Sequence, residues 1–379
     1  MPSNPPRESD RRAAVPPGAT FRERVLAAPV TVGLILLCVG AFVATLGACA
    51  LRVDDPGAML TASWIRLDRC TDTLAGLGAL RMADLWIDGS WWRVLAAGLL
   101  HGSWLHLILN TWSLWVVGEW VEGTWGHARC AVLFVLSSLA GCLASAAWVE
   151  APMVVGASAG IMGMAGALWV GRVMGRGLVQ HRLQPLSARV LGGWLVVLVA
   201  LGYFVEMIAQ AGHLGGLVGG ALLGVAWSGR EPIVGLAGRM GLGLVFAGLV
   251  LAARQPEERE HYYEFLGNGY LDRDRNEEAV GAFELALERQ PESVRLKNGV
   301  AYSLAKAGVE LERAEELVKV ALEETPESPD YLDTLGWIYC RRGEVDRGME
   351  WLEKASVASE GEEEEIEEHL GKCGEVEVE

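Results

Sequence analysis

Seven long apolar runs, at 29–51, 94–118, 130–149, 156–174, 190–211, 213–228 and 233–252, decide what this chain can fold into. Most reach the ~20 residues that carry a helix across a hydrocarbon core. They predict an all-α, polytopic membrane helix bundle over 29–252, behind a polar N-terminal tail at 1–28. The run at 213–228 is short and glycine-rich, and it is included on pattern as well as length. Arg22 and Arg24 precede the first run and "ACA" at 48–50 resembles a leader-peptide cleavage site. Its 23 apolar residues exceed a typical signal core, so the run reads as a retained helix.

Charge divides the chain at the end of the last run. Residues 253–379 carry 15 Lys/Arg and 34 Asp/Glu, against 17 and 14 in the preceding 252 residues. An acidic balance excludes nucleic acid as a partner, since phosphate binding needs basic patches. The seven cysteines (38, 49, 70, 130, 142, 340 and 373) form no CxxC pair. Four of them sit in the apolar runs and read as small packing residues, and the set predicts no metal site, no cofactor and no disulfide framework.

Lys and Arg favour cytoplasmic loops. Arg172, Arg176, Arg182 and Arg189 cluster between the fourth and fifth runs. Placing that cluster inside also puts Arg22, Arg24 and Arg129 inside, with a cytoplasmic N-terminus. The loops 52–93 and 150–152 then lie outside, and the second, fourth and sixth runs enter from the outer face. If 233–252 spans, the acidic region is extracytoplasmic.

This orientation brings three polar groups from three runs to one level. "LLHGSWLHLILNTW" at 99–112 carries His101, His106 and Asn110 in otherwise lipid-soluble sequence. Such groups are costly in hydrocarbon and face a cavity or a partner. "VVGASAGIMGMAGA" at 154–167 carries Ser158 between Gly156 and Gly160. Alone, that pattern reads as a close helix contact, because the hydrolase nucleophile elbow needs a strand–turn–helix context. "AGHLGGLVGGALLG" at 211–224 follows His213 with Gly216, Gly220 and Gly224 at four-residue spacing. That smooth stripe predicts a close mate in the fourth run, at Ser158 or Ala159, Met162 or Gly163, and Gly166 or Ala167. Packing of this kind brings Ser158 near His213, and a serine with an imidazole base in reach is a nucleophile. His106 and Asn110, four residues apart, share a helical face and can donate to a developing oxyanion with the Ser158 amide. Taken singly, His213 reads equally as an interfacial residue, and the His106/Asn110 pair as interhelical hydrogen-bonding glue. His101, five positions from His106, reads as rotated away, an interfacial histidine facing water.

In order and spacing, "WWR" at 91–93, His101, His106 and Asn110, "GEWVEGTWG" at 118–126, "GAS" at 156–158 and "GHLGGLVGG" at 212–220 resemble the rhomboid family of intramembrane serine proteases. The resemblance covers roughly 25–252. It implies a six-helix core plus a seventh helix in a bacterial-type inner membrane. It implies a Ser158–His213 dyad, an oxyanion hole of His106, Asn110 and Ser158, supporting roles for His101, Gly156, Gly216 and Gly220, and single-pass membrane proteins as substrates. One departure is Ala159, which stands where the family usually has glycine. The alternative is a catalytically inactive rhomboid-like protein that holds client helices.

Residues 260–362 repeat at about 34 residues: Leu266, Gly267, Tyr270, Ala279, Phe283, Ala286 and Pro291, then Val300, Ala301, Leu304, Ala314, Val318, Ala321 and Pro326, then Leu335, Gly336, Tyr339, Gly348, Leu352 and Ala355. The pattern resembles three tetratricopeptide repeats, which stack as helix pairs and imply a protein or peptide partner. The acidic end, with 363–379 as a tail, predicts a solvated cap or a disordered segment.

Overall fold

The computed structural model describes residues 19–53, 56–64, 70–149, 151–201, 209–229, 231–359 and 364–375. The expectations for residues 1–18 of the N-terminal tail, for 202–208 of the fifth run, for Glu150 and for 360–363 and 376–379 of the acidic end lie outside the described residues. Contacts divide the chain into two compact units, Met1–Leu85 with Gly89–Pro256, and Trp86–Asp88 with Glu257–Glu379.

The first unit is an all-α bundle of α1 (Pro29–Ala50), α2 (Trp104–Trp125), α3 (His127–Trp148), α4 (Ser158–Met174), α5 (Ala188–Leu201), α6 (Gln210–Ala226) and α7 (Pro232–Arg254). Among the described residues α1, α3 and α7 are long and apolar enough to cross a membrane. The number rises to five if Arg93–Leu99 with α2 and Gly177–Leu183 with Ala188–Ala200 each make one bent span. Helices α4 and α6 have 17 residues each. They form the inside of the bundle, where α4 is buried along almost its whole length.

Backbone-to-backbone packing holds this interior together. A Cβ added to Gly220 would lie 2.0 Å from the Gly163 carbonyl oxygen, and one on Gly216 would lie 2.1 Å from that of Ala159. One on Gly224 would lie 2.9 Å from Ala167 Cα. The mates of the glycine stripe are therefore Ala159, Gly163 and Ala167. In a membrane, where lipid tails compete for apolar surface, close approach of small residues is what lets dispersion hold helices together.

Helix α1 is fixed to α2 by a buried carboxylate. Glu122, 3% exposed, accepts hydrogen bonds from the Val30 and Thr31 amides (both 2.9 Å) and from Thr31 Oγ1 (2.8 Å). Those amides belong to the first turn of α1 and have no partner within the helix. Gly118 leaves room for Thr31, whose side-chain atoms would lie 2.7 Å from an added Cβ.

Two expectations are corrected. Run two is not continuous. A 90° bend separates Arg93–Leu99 from α2, because Ser103 caps α2, its Oγ accepting from the His106 amide at 3.1 Å. The cysteines are not all free. Cys49, at the end of α1, is bonded to Cys70, and Cys340 to Cys373, both with Cα atoms 5.5 Å apart. These bridges join residues 21 and 33 positions apart, pairings that short-range spacing does not reveal. Cys38, Cys130 and Cys142 are buried and unbonded.

The second unit stacks α8 (Tyr262–Leu271), α9 (Asn276–Arg289), α10 (Val294–Ala307), α11 (Leu311–Glu324), α12 (Pro329–Arg341) and α13 (Val345–Ala358) as three helix pairs. The repeated small residues sit where partner helices touch. A Cβ on Gly267 would meet the Phe283 ring at 2.7 Å, and one on Gly336 would meet Leu352 at 2.8 Å. The acidic end also departs from expectation. Glu364–Glu375 is a helix, α14, and it is not merely solvated, because Ile366, His369 and Cys373 are at most 1% exposed. Apolar or bridged residues at 366, 370 and 373 give it a helical seam that the flanking glutamates mask in the sequence.

Candidate active site

A short loop and three helix ends build the site. The two-residue strand Met153–Val154 pairs antiparallel with Leu80–Arg81. Just beyond it the Gly156 amide donates to the Ala97 carbonyl at 2.9 Å. Gly156 has φ +122°, a conformation that side-chain-bearing residues rarely adopt. The space a side chain would fill is taken, since an added Cβ would lie 2.7 Å from His106 Cε1, 2.8 Å from His106 Nε2 and 3.6 Å from Asn110 Nδ2. His106 and Asn110 thus converge, one helical turn apart, on the backbone two residues before Ser158. Asn110 is 7% exposed and its Nδ2 is buried with no hydrogen-bond partner. An unspent donor in a buried place is costly to keep.

Ser158 opens α4. Its amide has no partner within the helix, and the helix N-terminus is a favourable place for developing negative charge. His213 lies in the first turn of α6, and its Nδ1 is buried without a partner. The residues next to them, Ala159 and Gly212, meet at one point of α3. A Cβ on Gly141 of α3 would lie 2.4 Å from Ala159 Cβ and 2.6 Å from the Gly212 carbonyl oxygen. The same Ala159 carbonyl abuts Gly216, three residues after His213. Among the described residues, Ser158 and His213 make no hydrogen bond to each other.

His101 is placed differently from the sequence expectation. It lies outside α2, in the bend before Ser103, so the five-residue rotation does not apply to it. It does not face water, being 0% exposed. Its ring packs edge-on against His106 with centroids 5.1 Å apart. Its Nδ1 lies 3.2 Å from the Leu99 carbonyl, while Nε2 is buried and unpartnered.

One residue that the sequence reading missed carries part of the geometry. Gly141 makes room for the Ala159 methyl, the one departure from the resembled pattern. Its signal was available in "SSLAGCLASAA" at 137–147, whose small residues mark a helix meant for close contact. Arg93, the arginine of the "WWR" stretch, anchors the loop before α2, donating to the Ala75 and Ala79 carbonyls (3.0 Å to Ala79) and pairing with Asp84 at 2.9 Å. Gly141→Ala should lower the unfolding temperature in detergent by several degrees, with Ala159→Gly restoring part of the loss. Full additivity of the two changes would mean that the contact is not real.

Residues 88–230 match the family model described as Rhomboid domain. "Rhomboid protease GluP" of Bacillus subtilis is 32% identical over 188 residues, covering 48% of this chain and 34% of that protein. "Rhomboid-like protease 5" of Toxoplasma gondii is 31% identical over 165 residues (40% and 18%), and "RHOMBOID-like protein 5" of Arabidopsis thaliana is 31% identical over 156 residues (40% and 48%). The chain thus spans less than half the length of each of these relatives. Among solved structures, the TPR2AB-domain:pHSP90-complex of yeast Sti1 aligns at 15% identity with a TM-score of 0.27, a likeness too low to carry weight. The comparisons support the rhomboid family for the helical bundle, since the stretch that holds His106, Asn110, Ser158 and His213 matches the rhomboid domain and the chain is similar to rhomboid proteases.

Proposed function

We propose that this protein is an intramembrane serine endopeptidase that cleaves the membrane segments of single-pass proteins. The observation that carries the reading is the convergence of the His106 ring and the unpartnered Asn110 amide on Gly156, two residues before a serine at a helix N-terminus. In this reading Ser158 Oγ attacks the scissile carbonyl carbon and its proton passes to His213. The carbonyl oxygen takes up the negative charge against His106, Asn110 and the Ser158 amide. Collapse of the tetrahedral intermediate breaks the C–N bond, and the leaving amine takes the proton from His213. Water, deprotonated by the same imidazole, then releases the acyl group from Ser158. His101 holds the His106 ring, and Gly216 and Gly220 hold the two reacting helices together. The direct test is cleavage of a tagged single-pass membrane protein by the full chain in lipid vesicles. A fragment pair whose junction lies within the membrane segment is expected, and intact substrate would overturn the reading.

A second reading is favoured by the missing Ser158–His213 hydrogen bond, namely an inactive protein of the same fold that binds client helices. Resting enzymes often hold such bonds long until substrate binds, so the protease reading is preferred.

The helix pairs of 260–362 read as tetratricopeptide repeats that bind a protein or peptide partner. We place them outside the cytoplasm, with the N-terminus inside. Disulfides persist in oxidising compartments. One of them, Cys340–Cys373, lies in this unit, and the other, Cys49–Cys70, lies on the side that the arginine bias puts outside. On cells whose outer face is accessible, an impermeant reductant followed by an impermeant maleimide should label the wild type. Labelling should fall in Cys340→Ser/Cys373→Ser. Equal labelling of both proteins until lysis would put the repeats in the cytosol.

A further inference from the structure

The contacts of α14 go beyond those of a helix that merely ends a stack. Its His369 is buried against α12, with Nδ1 2.9 Å from both Asp333 carboxylate oxygens and the ring stacked on Trp337 at 4.4 Å between centroids. It also reaches past α12 to α10, where Glu365 accepts from the Tyr302 hydroxyl and the His369 ring lies 6.0 Å from the Tyr302 ring. It packs most extensively on α13, where Ser356 donates to Glu367 at 2.8 Å and Ala355, with Leu332 of α12, packs on Ile366, and Cys373 is bonded to Cys340 of α12. The surface beneath carries cations over its aromatic rings, Lys306 over Tyr302 at 5.7 Å and Arg341 over Trp337 at 6.0 Å. The helix above carries five glutamates and one lysine in twelve residues. The fit is incomplete, since Trp337 Nε1 is buried with no acceptor among the described residues.

We propose that the surface of α10, α12 and α13 lined by Tyr302, Lys306, Asp333, Trp337 and Ala355 is a docking groove for an acidic amphipathic helix of a partner protein, which α14 occupies in cis, latched by the Cys340–Cys373 disulfide. This deepens the reading of the helix pairs as a partner-binding array, on which it rests. The cis helix defines the partner's chemistry: an apolar seam at i and i+4 as at Ile366 and Leu370, carboxylates on the flank, and an acceptor for Trp337. Release requires a two-electron reductant, a dithiol that itself becomes a disulfide or, in the test below, a phosphine that takes oxygen from water to become its oxide, as Cys340 and Cys373 each gain one electron and one proton. After release, the local concentration of a tethered α14 still competes with any partner, so binding in trans is attenuated rather than free.

The test uses the full chain in detergent micelles and a fluorescent peptide of residues 364–375 with serine in place of Cys373. In the oxidised protein, amides of 364–375 should exchange as slowly as those of α12, and the peptide should not bind. After reduction by a phosphine, 364–375 should exchange at least about tenfold faster while α12 keeps its protection, and the peptide should bind saturably. A chain ending at residue 363 should bind it more tightly still. If α12 and α13 lose protection together with α14, the helix is part of the stack and the proposal fails. It fails equally if α14 is released and neither the reduced nor the shortened chain binds peptide. The wider reading is tested apart from this, because removing 260–379 without effect on the capture of any membrane substrate would sink the array's recruiting role and leave the cis contact standing.

Discussion

Ser158→Ala is expected to lower cleavage of a single-pass substrate by about 10⁴-fold or more, and His213→Ala by nearly as much, with no further loss when the two are combined. The non-additivity matters as much as the size of the effect. A nucleophile without its base and a base without its nucleophile are equally idle, so the second substitution has nothing left to remove. Asn110→Ala should cost less, about 10²-fold, the usual worth of one oxyanion donor. All three variants should fold, since Ser158 and His213 make no hydrogen bond to each other among the described residues, and truncating Asn110 removes a buried donor that has no partner. Cleavage by Ser158→Ala at the wild-type rate would remove the proposed mechanism outright.

The second large effect is structural. Gly220→Val should unfold the bundle or leave it unrecoverable from membranes. The first added atom would lie 2.0 Å from the Gly163 carbonyl oxygen, with Gly163 C and Cα at 2.3 Å. Overpacking a core against side chains typically costs ~1–3 kcal/mol because rotamers can shift. Here the obstacle is main chain, so α4 and α6 must separate along their length, and the cost should exceed that range. Gly248→Ala in α7 is the control. Nothing lies within 4 Å of its added Cβ, and Gly→Ala inside a helix is favourable by ~0.5–1 kcal/mol. Thermal unfolding in detergent compares them. Wild-type stability in Gly220→Val would mean that the two backbones do not touch.

The contrast between these positions explains how far the sequence could be read. The glycine stripe at 216, 220 and 224 was legible because four-residue spacing of small residues has one strong use in a membrane helix. Its mates were narrowed to pairs such as Met162 or Gly163, since a rotation of one residue about α4 costs nothing in sequence terms, and the structure selects Ala159, Gly163 and Ala167. Ser158, His213, His106 and Asn110 stood out because polar groups are rare in apolar runs. His101 stood out for the same reason but was misplaced. Treating 94–118 as one helix put it on the wrong face, whereas Ser103 starts α2 only after it. Gly141 does not stand apart in sequence from the other small residues of α3, although it is the position that gives Ala159 its space. The disulfides and α14 were hidden for a common reason. Each depends on chain segments distant in sequence coming together, and neither local spacing nor composition carries that information.

The central claim, that Ser158 is a nucleophile activated by His213 in an assembled site, is tested most directly by covalent labelling of the full chain in membranes with a fluorophosphonate probe, which reports the nucleophile whatever the natural substrate is. One labelled band is expected in the wild type, with strong slowing of its appearance in His213→Ala and no band in Ser158→Ala. A band of wild-type intensity in Ser158→Ala, or a folded wild type that takes no label at all, would contradict the claim.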